Sequence, residues 1–230
     1  MIERATRWLA AAAGAGLFAL LAWAVLALPA PTPGLAPQVA ARLEESGVRN
    51  PVTAVLLNFR GYDTLLEVTV LVLALLGAGF VRLAPHAREL KMVGRRDPML
   101  LAFARGMLPV MLTVGAYLLW LGSKAPGGAF QAAALACGAG LLLVLPGLWN
   151  GPRLAPARWR IALVAGYGVF LATAALTLAA RGGLLDYPPA ASGALILLVE
   201  ASLAVSLGLL LLAFFSLGQP PREPGERSPS

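Results

Sequence analysis

Two places in the chain carry acidic groups where an apolar surrounding makes them costly. The first is Arg60-Gly61-Tyr62-Asp63-Thr64-Leu65-Leu66-Glu67, which packs Arg60, Asp63 and Glu67 into eight residues. Glu67 enters a run that is otherwise without charge up to Arg82. The second is Glu200, inside the apolar run from Ser192 to Leu217. A carboxylate in such a run must face a partner or water, or carry a proton. The chemistry open to it is proton exchange or cation binding. For Glu67 a structural reading stands beside this. Thr64-Leu65-Leu66-Glu67 has the spacing of a capping box, in which hydroxyl and carboxylate satisfy free N–H groups at a helix start. Arg60 and Asp63 are expected to pair across Gly61, either as an interfacial salt bridge or as a charge pair that tunes the proton affinity of Glu67. Glu200 lies about 13 Å into its helix at about 1.5 Å per residue, beyond the reach of that helix's own cap. Arg105 snorkels to the cytoplasmic side or, in the alternative, pairs with Glu200.

No nucleophile–base set, phosphate-cradling glycine loop or metal cluster accompanies these groups. His86 and Cys137 are single and cannot alone build a zinc, haem or iron–sulfur site. The single cysteine also leaves no disulfide framework within the chain. The expectation is a protein that is not an enzyme and holds no cofactor or metal.

The surrounding elements explain why so few polar groups matter. Of 230 residues, 59% are hydrophobic and 13% charged, and the mean hydropathy is +0.77. Soluble domains carry about 25% charged residues. Continuous apolar runs of about 20 residues predict an all-α membrane protein rather than a membrane β-barrel. About six transmembrane helices are expected, as a polytopic bundle with an extended outer loop after helix 1. The spans are Trp8 to Leu28, Asp63 to Leu83, Pro98 to Gly122, Phe130 to Trp149, Ile161 to Ala180 and Ser192 to Leu217. Ala22-Trp23-Ala24 resembles a signal cleavage site, but the apolar run is longer than the ~7–15 residues of a signal core, so it is taken as a transmembrane helix.

Between the first two spans, Pro29, Pro31 and Pro33 block helix continuation. Pro37 to Glu45 predicts a short helix ended by Gly47. Asn50 as N-cap and Pro51 in the first turn then open an interfacial helix ended by Gly61, though Val-Thr-Ala-Val is also strand-like. Asp97 and Pro98 play the same parts for the third span, which Pro109 is expected to kink. Lys124-Ala125-Pro126-Gly127-Gly128 reads as a tight turn. Gly138, Gly140, Gly166 and Gly168 thin the fourth and fifth spans, which predicts close helix packing.

The net charge of +7 follows the positive-inside rule rather than nucleic-acid binding. With the N-terminus inside, the inner segments hold Arg4, Arg7, Arg82, Arg88, Lys91, Arg95, Arg96, Arg153, Arg158, Arg160, Arg222 and Arg227. The outer segments hold Arg42, Arg49, Arg60, Lys124 and Arg181. Twelve against five places both termini in the cytoplasm of a multi-pass protein of the cell (inner) membrane. The basic segment that contains His86 is solvated and suited to anionic lipid. A seam near Gly94 divides a two-helix module, residues 1–93, from a four-helix module, residues 94–218, and residues 219–230 form a polar, Pro-rich, disordered tail.

The stretch from Gly47 to Glu67, Gly-Val-Arg-Asn-Pro-Val-Thr-Ala-Val-Leu-Leu-Asn-Phe-Arg-Gly-Tyr-Asp-Thr-Leu-Leu-Glu, resembles the C-terminal region of the large A subunit of Mrp-type multisubunit sodium/proton antiporters. In the related membrane-bound hydrogenases a similar region is a small separate subunit. Lys124-Ala125-Pro126-Gly127-Gly128-Ala129-Phe130-Gln131 resembles the Pro-Gly-Gly-Gly-Phe turn of the antiporter B subunit, and Leu197 to Val205 is similar to that subunit's last helix. The resemblance covers nearly the whole chain. It departs from the family at Asn58, where Asp is usual, and at Leu66 and Ala129, where Gly is usual. The resemblance implies a fused accessory subunit in a cation/proton antiporter complex, with sodium or protons, other subunits and membrane lipids as partners. Glu67 would be the ion group, tuned by Arg60 and Asp63, and Glu200 a second polar site. The alternative parent is a respiratory-type complex such as a membrane-bound hydrogenase.

Overall fold

The computed structural model describes residues 2–28, 34–82, 98–149, 151–152 and 156–217. The basic segment with His86 and Asp97, the expected seam near Gly94 and the tail lie outside these residues. Two units are present, residues 1–38 and 39–230.

The first unit holds α1 (Ile2–Leu26), an apolar helix whose described side chains are almost all exposed. The second unit begins at Val39, within α2 (Ala36–Arg42), and there a 3-10 turn (Leu43–Ser46) follows that Gly47 closes at φ +76°. Gly47 is required there twice over. Its φ is left-handed, and an added Cβ would collide with the Ser192 side chain and come within 2.7 Å of the Gly193 nitrogen.

The described residues of the second unit form helices joined by turns, with no strand among them. Asn50 caps α3 (Pro51–Ala54), its side-chain oxygen accepting from the Val52 N–H at 3.1 Å, with Pro51 in the first turn. The helix then widens into a π turn (Val55–Phe59). The strand alternative is not seen, and Thr53, Ala54 and Leu57 are buried in the unit. The remaining helices are α4 (Gly61–Arg82), α5 (Pro98–Leu121), α6 (Ala129–Val144), α7 (Ala157–Arg181) and α8 (Ser192–Leu217).

Apolar on all sides, α8 is the central helix. It packs against α4, α5, α6 and α7, and Ile196, Val199, Leu203, Leu207, Leu210 and Leu212 are fully buried. Glycines set the separations. An added Cβ on Gly166 of α7 would lie 2.5 Å from the Ser202 carbonyl oxygen of α8, and one on Gly140 of α6 would meet Leu212. A Cβ on Gly138 would meet only the end of the Met111 side chain, and one on Gly168 meets nothing within 4 Å. Hydroxyls add links within the apolar region. Ser206 of α8 donates to the Leu163 carbonyl of α7 at 2.5 Å, and Thr69 of α4 shares a hydrogen bond with Tyr167 of α7 at 3.1 Å.

Two sequence expectations are corrected. The fourth span does not reach Trp149. Pro146 and Gly147, the latter at φ +77°, end α6 at Val144. At 16 residues α6 is about 24 Å long, short of a ~30 Å hydrocarbon core. Among the described residues five helices are long and apolar enough to cross a membrane, and α6 is a shorter apolar helix. The capping box is also absent. Helix α4 begins at Gly61, so Thr64 is already inside it, and the Thr64 hydroxyl donates back to the Leu56 carbonyl in the π turn at 2.6 Å.

Candidate functional site

The π turn and the first turns of α4 present the first group of candidate residues. Arg60 and Asp63 pair as expected, with guanidinium and carboxylate 2.6 Å apart. Both are well exposed, so the pair contributes at most about 1 kcal/mol to stability. Glu67 lies in the second turn of α4. Its side chain is exposed and makes no ion pair or hydrogen bond among the described residues. Tyr62, Leu66, Val70 and Leu73 are exposed around it on the same helix. This is an apolar face with one carboxylate in it. Asn58, in the position where the resembled family has Asp, donates its amide to the Ser46 carbonyl at 3.0 Å. An ionised Asp could not make that bond, because it has no donor.

The second group surrounds Glu200. The side chain is 3% exposed. It crosses from α8 to the start of α6, where the Ala129 N–H donates to its carboxylate. The N-cap of α6 is Gly128, which has φ +118° and no side chain to cap with. Glu200 therefore supplies from α8 the cap that α6 lacks, which is favourable at the positive end of a helix. A Cβ on Gly128 would lie 2.7 Å from Glu200 Oε1, so only glycine leaves room for this approach. Oε2 has no hydrogen-bond partner among the described residues. The residue also lines a cavity of about 90 Å³ whose walls include Thr53 of α3, Leu56 of the π turn, Thr64 of α4, Gln131 of α6 and Leu203 of α8.

A clasp not anticipated from the sequence holds these walls together. The Asn50 amide donates to the carbonyls of Gly122 at 3.1 Å and Ala125 at 2.9 Å, and to Thr53 Oγ1 at 3.0 Å. Thr53 donates to the same Gly122 carbonyl at 2.6 Å. The N–H groups of Arg49 and Asn50 both reach the Ser123 carbonyl. One asparagine thus caps α3 and fixes the α5–α6 turn, and with it the edge of the cavity.

The structure does not bring the two carboxylates together. Glu67 is exposed and forms no part of the cavity wall, while Glu200 is enclosed. Nor does it pair Arg105 with Glu200. Arg105 is exposed near the opposite end of α5 from the turn at Gly122. Among the described residues no group of His, Cys, Asp and Glu could hold a metal ion.

Known proteins are similar to the chain as a whole. The family of domains related to the MnhB subunit of the Na+/H+ antiporter matches residues 99–218, which is 120 of the 230 residues. The chain belongs to that family. A second family, that of the E subunit of MBH, matches residues 3–91. One polypeptide thus carries a segment like that MBH protein, followed by an MnhB-related domain. Among solved structures, a chain of the Mrp complex from Dietzia sp. DQ12-45-1b is similar with a TM-score of 0.70 and 26% identity, over 97% of this chain and 27% of that one. A chain of the membrane-bound sulfane sulfur reductase (MBS), an archaeal respiratory membrane complex, is similar with a TM-score of 0.71 and 25% identity, over 94% of this chain and 98% of that one. The MnhB-related chain therefore spans about a quarter of the length of its Mrp-complex counterpart. No curated protein matches it.

Proposed function

We propose that this chain is an accessory, non-enzymatic membrane subunit of a multisubunit cation/proton antiporter complex, with sodium as the exchanged cation. It sits in the cell membrane with both termini in the cytoplasm and packs beside larger subunits. The observation that carries this reading is Glu67, an exposed carboxylate without a partner in its own chain among the described residues, on a helix otherwise uncharged to Arg82. Facing lipid, such a group is costly, so it is expected to face a cavity or a partner. A neighbouring subunit meets that requirement, and the boundary between them is where the cation passes. Arg60 and Asp63 set the local charge beside it. The MnhB-related family and the likeness to the Mrp complex support the same assignment.

The test is Glu67→Gln in the native complex. Co-purification of the subunits is expected to persist while sodium/proton antiport in vesicles is lost. Normal antiport with intact assembly would leave the chain a scaffold.

A second reading has its own support. The likeness to the reductase chain extends over 98% of that chain, which favours a membrane-arm subunit of a respiratory-type complex. Identification of the subunits that co-purify with the chain separates the two readings.

A further inference from the structure

One backbone conformation stands apart from the rest. Leu185, in the segment between α7 and α8, has φ +58° and is the only residue other than glycine with positive φ among the described residues. The Asp186 N–H donates to the Gly183 carbonyl at 3.3 Å, which closes a turn with Leu184 and Leu185 at its centre. Leu184 keeps negative φ, so Leu185 holds the place that a type II turn ordinarily gives to glycine. A leucine there brings its Cβ close to the neighbouring carbonyl oxygen. Strained residues of this kind persist only where the surroundings hold them, and they gather at sites with a function.

The surroundings of Leu185 are specific. Its N–H donates to the Thr177 hydroxyl of α7 at 2.9 Å, and that hydroxyl donates to the Ala174 carbonyl at 2.9 Å. Arg181 and Asp186 pair across the loop at 3.0 Å. The Leu185 side chain is 3% exposed and lies against Gly61. A Cβ added to Gly61 would lie 2.9 Å from Leu185 Cδ1 and 3.8 Å from its Cβ, and its three nearest neighbours all belong to Leu185. Gly61 opens α4, directly after Arg60, whose φ of −132° and ψ of 36° turn the corner out of the π turn. The left-handed backbone thus aims a leucine at that corner. The π turn is already held at its front by the Asn50 clasp and at Leu56 by the Thr64 hydroxyl. Leu185 holds its far end. Arg60 and Asp63 flank Gly61, and Glu67 follows about 9 Å along α4 at about 1.5 Å per residue.

We propose that Leu185 is a positioning residue for the acidic segment. The α7–α8 turn holds a strained leucine as a wedge against Gly61, and the wedge sets where Arg60, Asp63 and Glu67 stand at the start of α4. Leu185 touches none of these charged groups through a polar atom and acts on them only through the corner. The part given to Glu67 rests on the function proposed above. The wedge itself is geometry and is tested by itself.

The test is a distance between spin labels at Leu66 and Leu178, both exposed, in the full chain carrying Cys137→Ser, reconstituted in lipid bilayers. Pulsed electron spin resonance reads it. Leu185→Ala is expected to shift the mean distance by about 1.5 Å or more, one residue of helical rise. Leu185→Met, which keeps a side chain of similar volume, is expected to restore the parent distance. Gly61→Ala crowds the same contact from the other side and is expected to shift the distance as well, which decides the question should Leu185→Ala fail to fold. An unchanged distance in Leu185→Ala, or in Gly61→Ala where that variant alone folds, overturns the proposal. In the native complex, Leu185→Ala is expected to raise the sodium concentration for half-maximal antiport while the subunits still co-purify, and Leu185→Met to reverse the change. A shifted distance with normal antiport in both Leu185→Ala and Glu67→Gln would uphold the wedge and overturn the reading of Glu67, so the two ideas fail separately.

Discussion

The side-chain amide of Asn50 donates to the carbonyl oxygen of Gly122 at 3.1 Å, across 72 residues of chain. The same amide nitrogen reaches the Ala125 carbonyl, and the amide oxygen caps α3. The segment that carries Asp63 and Glu67 is tied by Asn50, together with Thr53 and the Arg49 N–H, to the turn in front of Ala129, where Glu200 sits.

Removing that tie has a calculable effect. Asn50→Ala deletes an N-cap, costing roughly 1 kcal/mol, and leaves the Gly122 and Ala125 carbonyls short of a donor, at roughly 1–3 kcal/mol for a buried group. Thr53 still serves Gly122, so the expected total is about 2–4 kcal/mol. Unfolding of the purified chain in detergent, followed by circular dichroism, measures it. A loss below about 1 kcal/mol would show that Asn50 acts only as a local cap.

Much of the fold is legible in the residues, and the parts that are not share one cause. Helix α8 is evident because 26 apolar-dominated residues run unbroken from Ser192, and α3 because Asn-Pro is a local starting signal. The end of α6 is hidden because Pro146 and Gly147 lie inside an apolar run that continues past them. Thr64 and Glu67 have capping-box spacing, but spacing alone does not show that the helix starts at Gly61. That Glu200 needs a partner follows from its place in an apolar run. The partner is a backbone N–H on another helix, and no pattern within one helix reveals it. The Asn50 clasp is hidden for the same reason. Local periodicity specifies elements, whereas these contacts depend on which elements meet.

Gly166 and Gly168 make the same point in testable form, since they look alike in sequence. An added Cβ on Gly166 would lie 2.5 Å from the Ser202 carbonyl oxygen and 2.7 Å from Ser206 Cβ, whereas one on Gly168 meets nothing within 4 Å. Gly166→Ala forces α7 away from α8 and is expected to destabilise by about 1–3 kcal/mol, the usual cost of overpacking. Gly168→Ala is expected to be neutral or to stabilise by up to about 1 kcal/mol through helix propensity. Parallel detergent unfolding of the two variants checks this. Equal losses would mean that α7 and α8 do not pack through Gly166.

Tyr187, in the segment between α7 and α8, is 5% exposed, and its hydroxyl has no hydrogen-bond partner among the described residues. Burial pushes that hydroxyl up to about 12 from its ordinary 10.0. The folded protein therefore keeps the proton over a range in which the unfolded chain gives it up. The stability due to the neutral phenol is fully present below pH 10 and is lost as pH rises toward 12. Tyr187→Phe keeps the ring in the core and removes a hydroxyl whose burial without a partner costs roughly 1–3 kcal/mol. The variant is expected to be at least as stable as the parent at neutral pH and to lose the part of the alkaline decline that Tyr187 causes. Unfolding midpoints measured from neutral to alkaline pH test both statements. A variant clearly less stable than the parent at neutral pH would show that the hydroxyl has a partner, and comparing the isolated chain with the assembled complex would show whether a neighbouring subunit supplies it.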